Sequence, residues 1–201
     1  MKSLLLKDFY QLLCHFKVFC IVAVLFLVVV AVNGANLFAA IYLSAVIGIT
    51  PMTLLAYDES SGWDIYAQTL PCTVAQLVAV KYIIGLVLNM AALLVLTLVI
   101  VLAGHGWGSL IIMTLTQLIF SLMVMALTLP LSFKFGTNKG RVIYWALMLI
   151  FIGIGRVIYK VLDIWGVGIG TLSLLAALGV AMIIYLLSWL LSVRFYKKRQ
   201  F

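Results

Sequence analysis

Long apolar runs alternate with short polar gaps along this chain, and most of the runs are long enough to cross a bilayer. Residues 1–17 stand apart. Leu5, Phe9, Leu12, Leu13 and Phe16 recur at helical spacing, while Lys2, Lys7, Asp8, Gln11 and Lys17 fall on the other side. That pattern predicts an amphipathic helix lying in the inner membrane interface. The runs that follow predict six spans, at about Val18–Val32, Leu37–Tyr57, Gln76–Ala103, Leu110–Leu129, Val142–Tyr159 and Thr171–Val193. Turn signals divide them: Asn33-Gly34, Gly104-His105-Gly106, and the Gly-rich Trp165–Gly170, where Gly166, Gly168 and Gly170 would also permit a broken helix. Pro51 predicts a kink in the second span and Pro130 the end of the fourth. The expected fold is an all-α membrane protein, with residues 1–17 as an interfacial helix and 18–201 as a six-span domain.

The gap between the second and third spans is longer than a simple connection requires. It runs from Tyr57 to about Thr73 and holds Asp58, Glu59 and Asp64, three of the five acids in the chain. Ser61-Gly62-Trp63-Asp64 reads as a capping box opening a short helix, Trp63–Leu70, with Trp63, Ala67 and Leu70 along one face and Pro71 behind it. Thr73-Val74-Ala75-Gln76 reads as a second box that starts the third span. A short helix is therefore expected across one mouth of the bundle, over the segment 58–73. Resting on lipid is one reading of it, but anionic headgroups would repel Asp58, Glu59 and Asp64. A basic protein partner suits those acids better. The contact residues expected are Asp58, Glu59, Trp63, Asp64, Tyr66, Ala67 and Leu70.

Composition strengthens the membrane reading. Apolar residues make up 67% of the chain and charged ones 9%, far from the soluble norm of about half and about a quarter. The net charge of +8 would suggest nucleic acid in a soluble protein. Here the basic residues cluster in the gaps. With both ends inside, eleven of the thirteen, all but Arg156 and Lys160, fall on the cytoplasmic side, and reversing the chain would put those eleven outside. Both termini are therefore expected in the cytoplasm, and no nucleic-acid partner is expected. Trp63, Trp107, Trp145, Trp165 and Trp189 all fall near predicted span ends, as amphipathic rings prefer. Cys14, Cys20 and Cys72 make no zinc spacing and require no disulfide. No small-residue cleavage site closes the first apolar run, so no cleavable signal peptide is expected.

Within the spans, Thr114, Gln117, Ser121 and Thr128 share a face of the fourth, and Asn89 lies eight residues before Thr97 on the third. Such groups either bond to a neighbouring helix or line a path. Arg156, Lys160 and Asp163 lie at i, i+4 and i+7 on one face, with Arg156 roughly 21 Å along the helix from Val142. Snorkelling or an internal ion pair is one reading, and contact with an anionic substrate or an outer gate is the other. No metal-ligand spacing and no Ser-His-Asp set occurs, and His15 and His105 are isolated. The chain is not expected to be an enzyme.

Two segments carry a family resemblance: Met1-Lys2-Ser3-Leu4-Leu5-Leu6-Lys7-Asp8-Phe9-Tyr10 and Tyr57-Asp58-Glu59-Ser60-Ser61-Gly62-Trp63-Asp64-Ile65-Tyr66-Ala67-Gln68-Thr69-Leu70-Pro71. With the length and span count, they resemble the small six-span permeases of bacterial ABC exporters of the second class. The nearest likeness is to permeases that export amphipathic peptides such as phenol-soluble modulins. The resemblance implies that the N-terminal helix is an elbow helix and Trp63–Leu70 a coupling helix for a separate ATPase. It further implies two ATPase copies, a second permease subunit of the same or a related kind, and the bacterial cell membrane. The neutral run Cys72-Thr73-Val74-Ala75 departs from the basic residues usual after Pro71. No Gly-rich Lys-Ser/Thr phosphate loop occurs, so ATP and Mg would belong to the partner. A motor-independent immunity or scaffold protein is the main rival. A secondary transporter would usually want an acid within a span.

Overall fold

Every regular element described in the computed structural model is a helix, as expected where lipid forces each backbone amide to find a partner within its own segment. The structure describes residues 2–14, 21, 37–67, 69, 72–104, 106–164 and 171–198. The helices are α1 (Lys2–Cys14), α2 (Leu37–Ser60), α3 (Trp63–Ala67), α4 (Val74–Leu102), α5 (Trp107–Phe135), α6 (Thr137–Ile164) and α7 (Thr171–Lys198). The expected first span apart from Ile21, Leu70, the Trp165–Gly170 turn and the last three residues lie outside the described residues, as do the side chains of Asp64, Arg156, Lys160 and Asp163.

Among the described residues, three helical stretches, Val74–Leu102, Leu110–Phe135 and Thr171–Lys198, are long and apolar enough to cross a membrane. With its 29 residues, α4 extends about 44 Å against a hydrocarbon core of about 30 Å, so it is longer than the core it would cross. The helix begins with the expected box. The Gln76 amide donates to Thr73 Oγ1 at 3.4 Å, and the Thr73 amide donates to Gln76 Oε1 at 3.1 Å.

Helix α5 is the hub, packing against α2, α4, α6 and α7. Its inward residues Leu122, Met125, Leu129 and Phe133 join Leu55, Val78, Leu96, Ile100 and Tyr196 in one core, with Phe133 edge-on to Tyr196. Val87, Leu94, Leu98 and Val101 of α4 and Leu172, Leu187 and Leu190 of α7 remain exposed, as lipid-facing side chains would be. Lipid supplies no hydrophobic drive between helices, so small residues and polar bonds hold the bundle. Tyr82 bonds Ser188 and Ser192 at 2.7 Å, and the Tyr185 hydroxyl donates to the Tyr82 carbonyl at 2.9 Å.

Pro130 does not end its helix, contrary to expectation, because α5 runs on to Phe135. A proline leaves the carbonyl four residues earlier without its amide. That carbonyl, on Ala126, accepts from Ser188 Oγ of α7 at 2.6 Å. The neighbouring helix repairs the break. The real end comes at Gly136, whose φ of 82° lets the chain turn directly into α6, five residues before the expected start at Val142. The short helix α3 is also briefer than expected, with five residues from Trp63 to Ala67. Its capping differs too: Ser61 Oγ donates back to the Asp58 carbonyl at 3.2 Å, extending the end of α2, and Gly62 at φ 69° makes the turn.

Close packing sets a first prediction. A Cβ at Gly48 would stand 2.6 Å from Val124 Cγ1, on a stiff β-branched side chain. Gly48→Ala should cost about 1–3 kcal/mol, read as a lower thermal midpoint in detergent. Gly179 of α7 has nothing within 4 Å of its would-be Cβ. Gly179→Ala should therefore hold or raise the midpoint, by up to about 1 kcal/mol of helix propensity.

Candidate functional site

Three elements deliver charges to one junction at the α3 end of the bundle. Helix α1 brings Lys7 and Asp8, the end of α2 brings Asp58, and α4 brings Lys81 from its third turn. Lys81 Nζ lies 2.6 Å from Asp8 Oδ2 and 2.6 Å from Asp58 Oδ2. Lys7 Nζ closes the other side, 3.2 Å from Asp8 Oδ1 and paired with Asp58 Oδ1. Each ammonium touches both carboxylates, and each carboxylate spends both oxygens. The quartet is neutral overall and alternates in sign.

Burial makes the alternation necessary. Asp8 is 2% exposed, Asp58 3% and Lys81 5%. Removing such ions from water costs several kcal/mol each, and only close, well-shared pairing offsets it. The surrounding cavity is about 30 Å³, room for about one water, and its walls include Leu55, Trp63, Leu77 and Phe133.

This packing seats one side of α1 against the bundle. Its Leu4 and Asp8 face the bundle, whereas Leu6, Phe9 and Leu13 are 46–56% exposed. An interfacial helix floating on lipid would show its charges to water. Here Asp8 is buried and Lys7 partly buried in the quartet, Leu5 and Leu12 pack partly against Leu54, Val80 and Ile84, and Leu6, Phe9 and Leu13 stay exposed. Leu5, Leu6, Phe9 and Leu12 form with Ile83 and Val87 of α4 one wholly apolar groove.

The short helix α3 is keyed to the quartet through its first residue. Lys7 Nζ sits 4.5 Å from the centre of the Trp63 ring, a cation–π contact, and Trp63 packs with Leu4, Leu54, Val80 and Ile84. Ala67, one turn on, is 1% exposed. Tyr66 lies between them on the outward side, 56% exposed, with its ring 5.4 Å from Trp63. Glu59 turns elsewhere. Its Oε2 accepts from the Thr137 amide at 3.0 Å and from the Thr137 hydroxyl at 2.5 Å, at the first residue of α6.

Of the expected contact residues, then, Trp63 and Ala67 anchor the short helix inward, and Tyr66 faces out. Asp58 and Glu59 are committed within the chain. The backbone of Asp64 falls in α3 and Leu70 is outside the described residues. Lys7, Asp8 and Lys81 complete the junction although no sequence motif marks them as a site. The available signal was Lys81 itself, a lysine set in an apolar run, which calls for an acid nearby.

The intramembrane polar residues separate into two kinds. Gln117 Nε2 donates to Asn89 Oδ1 at 2.9 Å, Asn89 Nδ2 donates to Ser121 Oγ at 2.6 Å, and Ser44 Oγ donates to the Gln117 carbonyl at 3.1 Å. All four residues are 0% exposed and join α2, α4 and α5. Gln117 Oε1 has no partner among the described residues. Thr114 and Thr128 bond instead to carbonyls of their own helix, at 2.9 Å and 2.8 Å. Arg156, Lys160 and Asp163 all lie in the second half of α6 by backbone position. Among the described residues no group of three His, Cys, Asp or Glu could hold a metal.

An all-helical bundle with apolar helices, polar bonds between them and an ion-paired junction at one end defines an integral membrane protein. The sequence model of the ABC-2 family transporter proteins matches residues 3–197, and the chain belongs to that family. It is a permease component of an ABC transporter, a kind of protein that works with an ABC ATPase. No curated protein and no solved structure matches it.

Proposed function

We propose that this chain is the membrane subunit of an ATP-driven exporter of amphipathic peptides in a bacterial cell membrane. It crosses the membrane six times with both termini in the cytoplasm, and it pairs with a second copy or a related permease. Two separate ATPase subunits bind ATP and Mg and dock under α3. The observation that supports this most directly is the mounting of α3. Trp63 and Ala67 fasten it to the bundle, Lys7 ties it to the buried quartet, and Tyr66 is left facing outward. A five-residue helix so firmly held is suited to receiving force from a docked partner.

The test has two parts. The tagged full chain should capture an ATPase subunit from its native membranes, and Tyr66→Ala should weaken that capture by about tenfold or more, as truncating an exposed interface tyrosine does. In proteoliposomes, ATP hydrolysis by the complex should rise with amphipathic helical peptides and not with small drugs or phospholipids. Cell protection that persists with an inactivated ATPase would instead support the motor-independent reading. Uptake of peptide driven by a proton gradient alone would support a secondary transporter.

A further inference from the structure

The first residue of α6 finds its acceptor on a distant helix. The residue before it is Gly136, which has no side chain to offer the first-turn amides, although Ser, Thr, Asp or Asn is the usual choice. The missing acceptor comes from 78 residues away, as Glu59 Oε2 takes both the amide and the hydroxyl of Thr137. A carboxylate there also meets the positive end of the helix dipole. Glu59 is the penultimate residue of α2 and stands four residues before Trp63, beside an Asp58 that is tied to α1 and α4. Consecutive acids thus hold different parts of the bundle: Asp58 holds α1 and α4, and Glu59 holds α6.

The packing around the start of α6 supports a shared movement. A Cβ at Gly140 would stand 2.7 Å from Ser132 Oγ and 3.0 Å from Met52 Cε, so the first turn of α6 is pressed onto α5 and α2. Higher up, the Tyr144 hydroxyl donates to the Ala45 carbonyl of α2. Helix α6 is also the element that carries Arg156, Lys160 and Asp163 toward the opposite end.

We propose that Glu59 is a positioning residue that carries displacement of the α3 segment into α6, so that α6 follows the docked ATPase. This rests on the permease reading above and adds the route by which force reaches one particular helix. Asp58 and the quartet would hold α1 and α4 to the same segment, making the end of α2 a branch point.

Spin labels at Thr69→Cys and Val142→Cys, with Cys14, Cys20 and Cys72 replaced by serine, report the distance between the α3 segment and α6. On the protein alone in nanodiscs, Glu59→Ala should broaden that distance distribution, and Glu59→Gln, which keeps both acceptor bonds, should leave it near wild type. Thr137→Val, which keeps the amide but not the hydroxyl, should fall between them. In the complex with its ATPase, Glu59→Ala should retain subunit binding. It should lower transport of a fluorescein-labelled amphipathic helical peptide per ATP hydrolysed by about tenfold, the scale of losing bonds to a charged group. A distribution in Glu59→Ala as narrow as wild type overturns the proposal. So does an equal loss of subunit binding in Glu59→Ala and Glu59→Gln, which would make the residue one of docking. Failure of the wild type to bind any ATPase refutes the permease reading, whereas the nanodisc distances still decide whether Glu59 joins α3 to α6.

Discussion

Replacing Lys81 by methionine is expected to cost about 3–5 kcal/mol, the largest effect of any single substitution considered, because it strips a buried ion cluster of one partner. Two carboxylates that are 2% and 3% exposed would then share only Lys7, whose side chain is 27% exposed. Against a typical total stability of about 5–15 kcal/mol, that loss should appear as poor accumulation of folded protein and a sharply lower thermal midpoint in detergent. Lys7→Met should cost less, since its side chain is 27% exposed and water can replace part of what is lost. The double variant Lys81→Met/Asp58→Asn returns the cluster to neutrality and should recover at least half of the loss. Equal damage from Lys7→Met and Lys81→Met would show that burial does not control the energetics of the junction.

The second large effect concerns Asn89. It is the middle member of the bonds that join Gln117 to Ser121, and it is 0% exposed. Asn89→Ala would leave the Gln117 amide without a partner for Nε2 as well as for Oε1 among the described residues. Stranding buried polar groups costs about 1–3 kcal/mol, and bonds between membrane helices average toward the lower end of that range. The Asn89→Leu/Gln117→Leu variant removes both ends of the bond and should recover stability to within about 1 kcal/mol of wild type. That variant also separates packing from pathway. Peptide transport that survives in the stable double variant assigns these groups to helix association. Transport lost from a protein of normal stability assigns them to the route.

Single residues show how far the sequence could be read. Periodicity and apolar run length marked the helices, because lipid leaves few alternatives to them, and Thr73 with Gln76 marked the start of α4 within its own four residues. What escaped was settled by partners distant in sequence. Pro130 carries a local instruction to stop, and only Ser188, on another helix, explains why α5 continues. Asp58 and Glu59 looked like an acidic surface because a linear reading cannot see Lys81 or Thr137 approach them. The polarity of α1 was plain, yet which side would face the bundle depended on whether an ion pair awaited its charges. The Gln117 and Ser121 stripe was visible on one helix face, whereas Asn89 and Ser44 completed it from two others.

The quartet has a further consequence during synthesis at the ribosome. Asp8 emerges 73 residues ahead of Lys81, a delay of roughly 4–15 s at about 5–20 residues per second. Through that interval α1 has no finished seat, and its acid has only the neighbouring Lys7 for company. Docking of the first helix therefore has to wait for the N-terminal part of α4 to arrive. A chain stalled before Lys81 would lack the ammonium that Asp8 and Asp58 share, and its first helix would stay unseated.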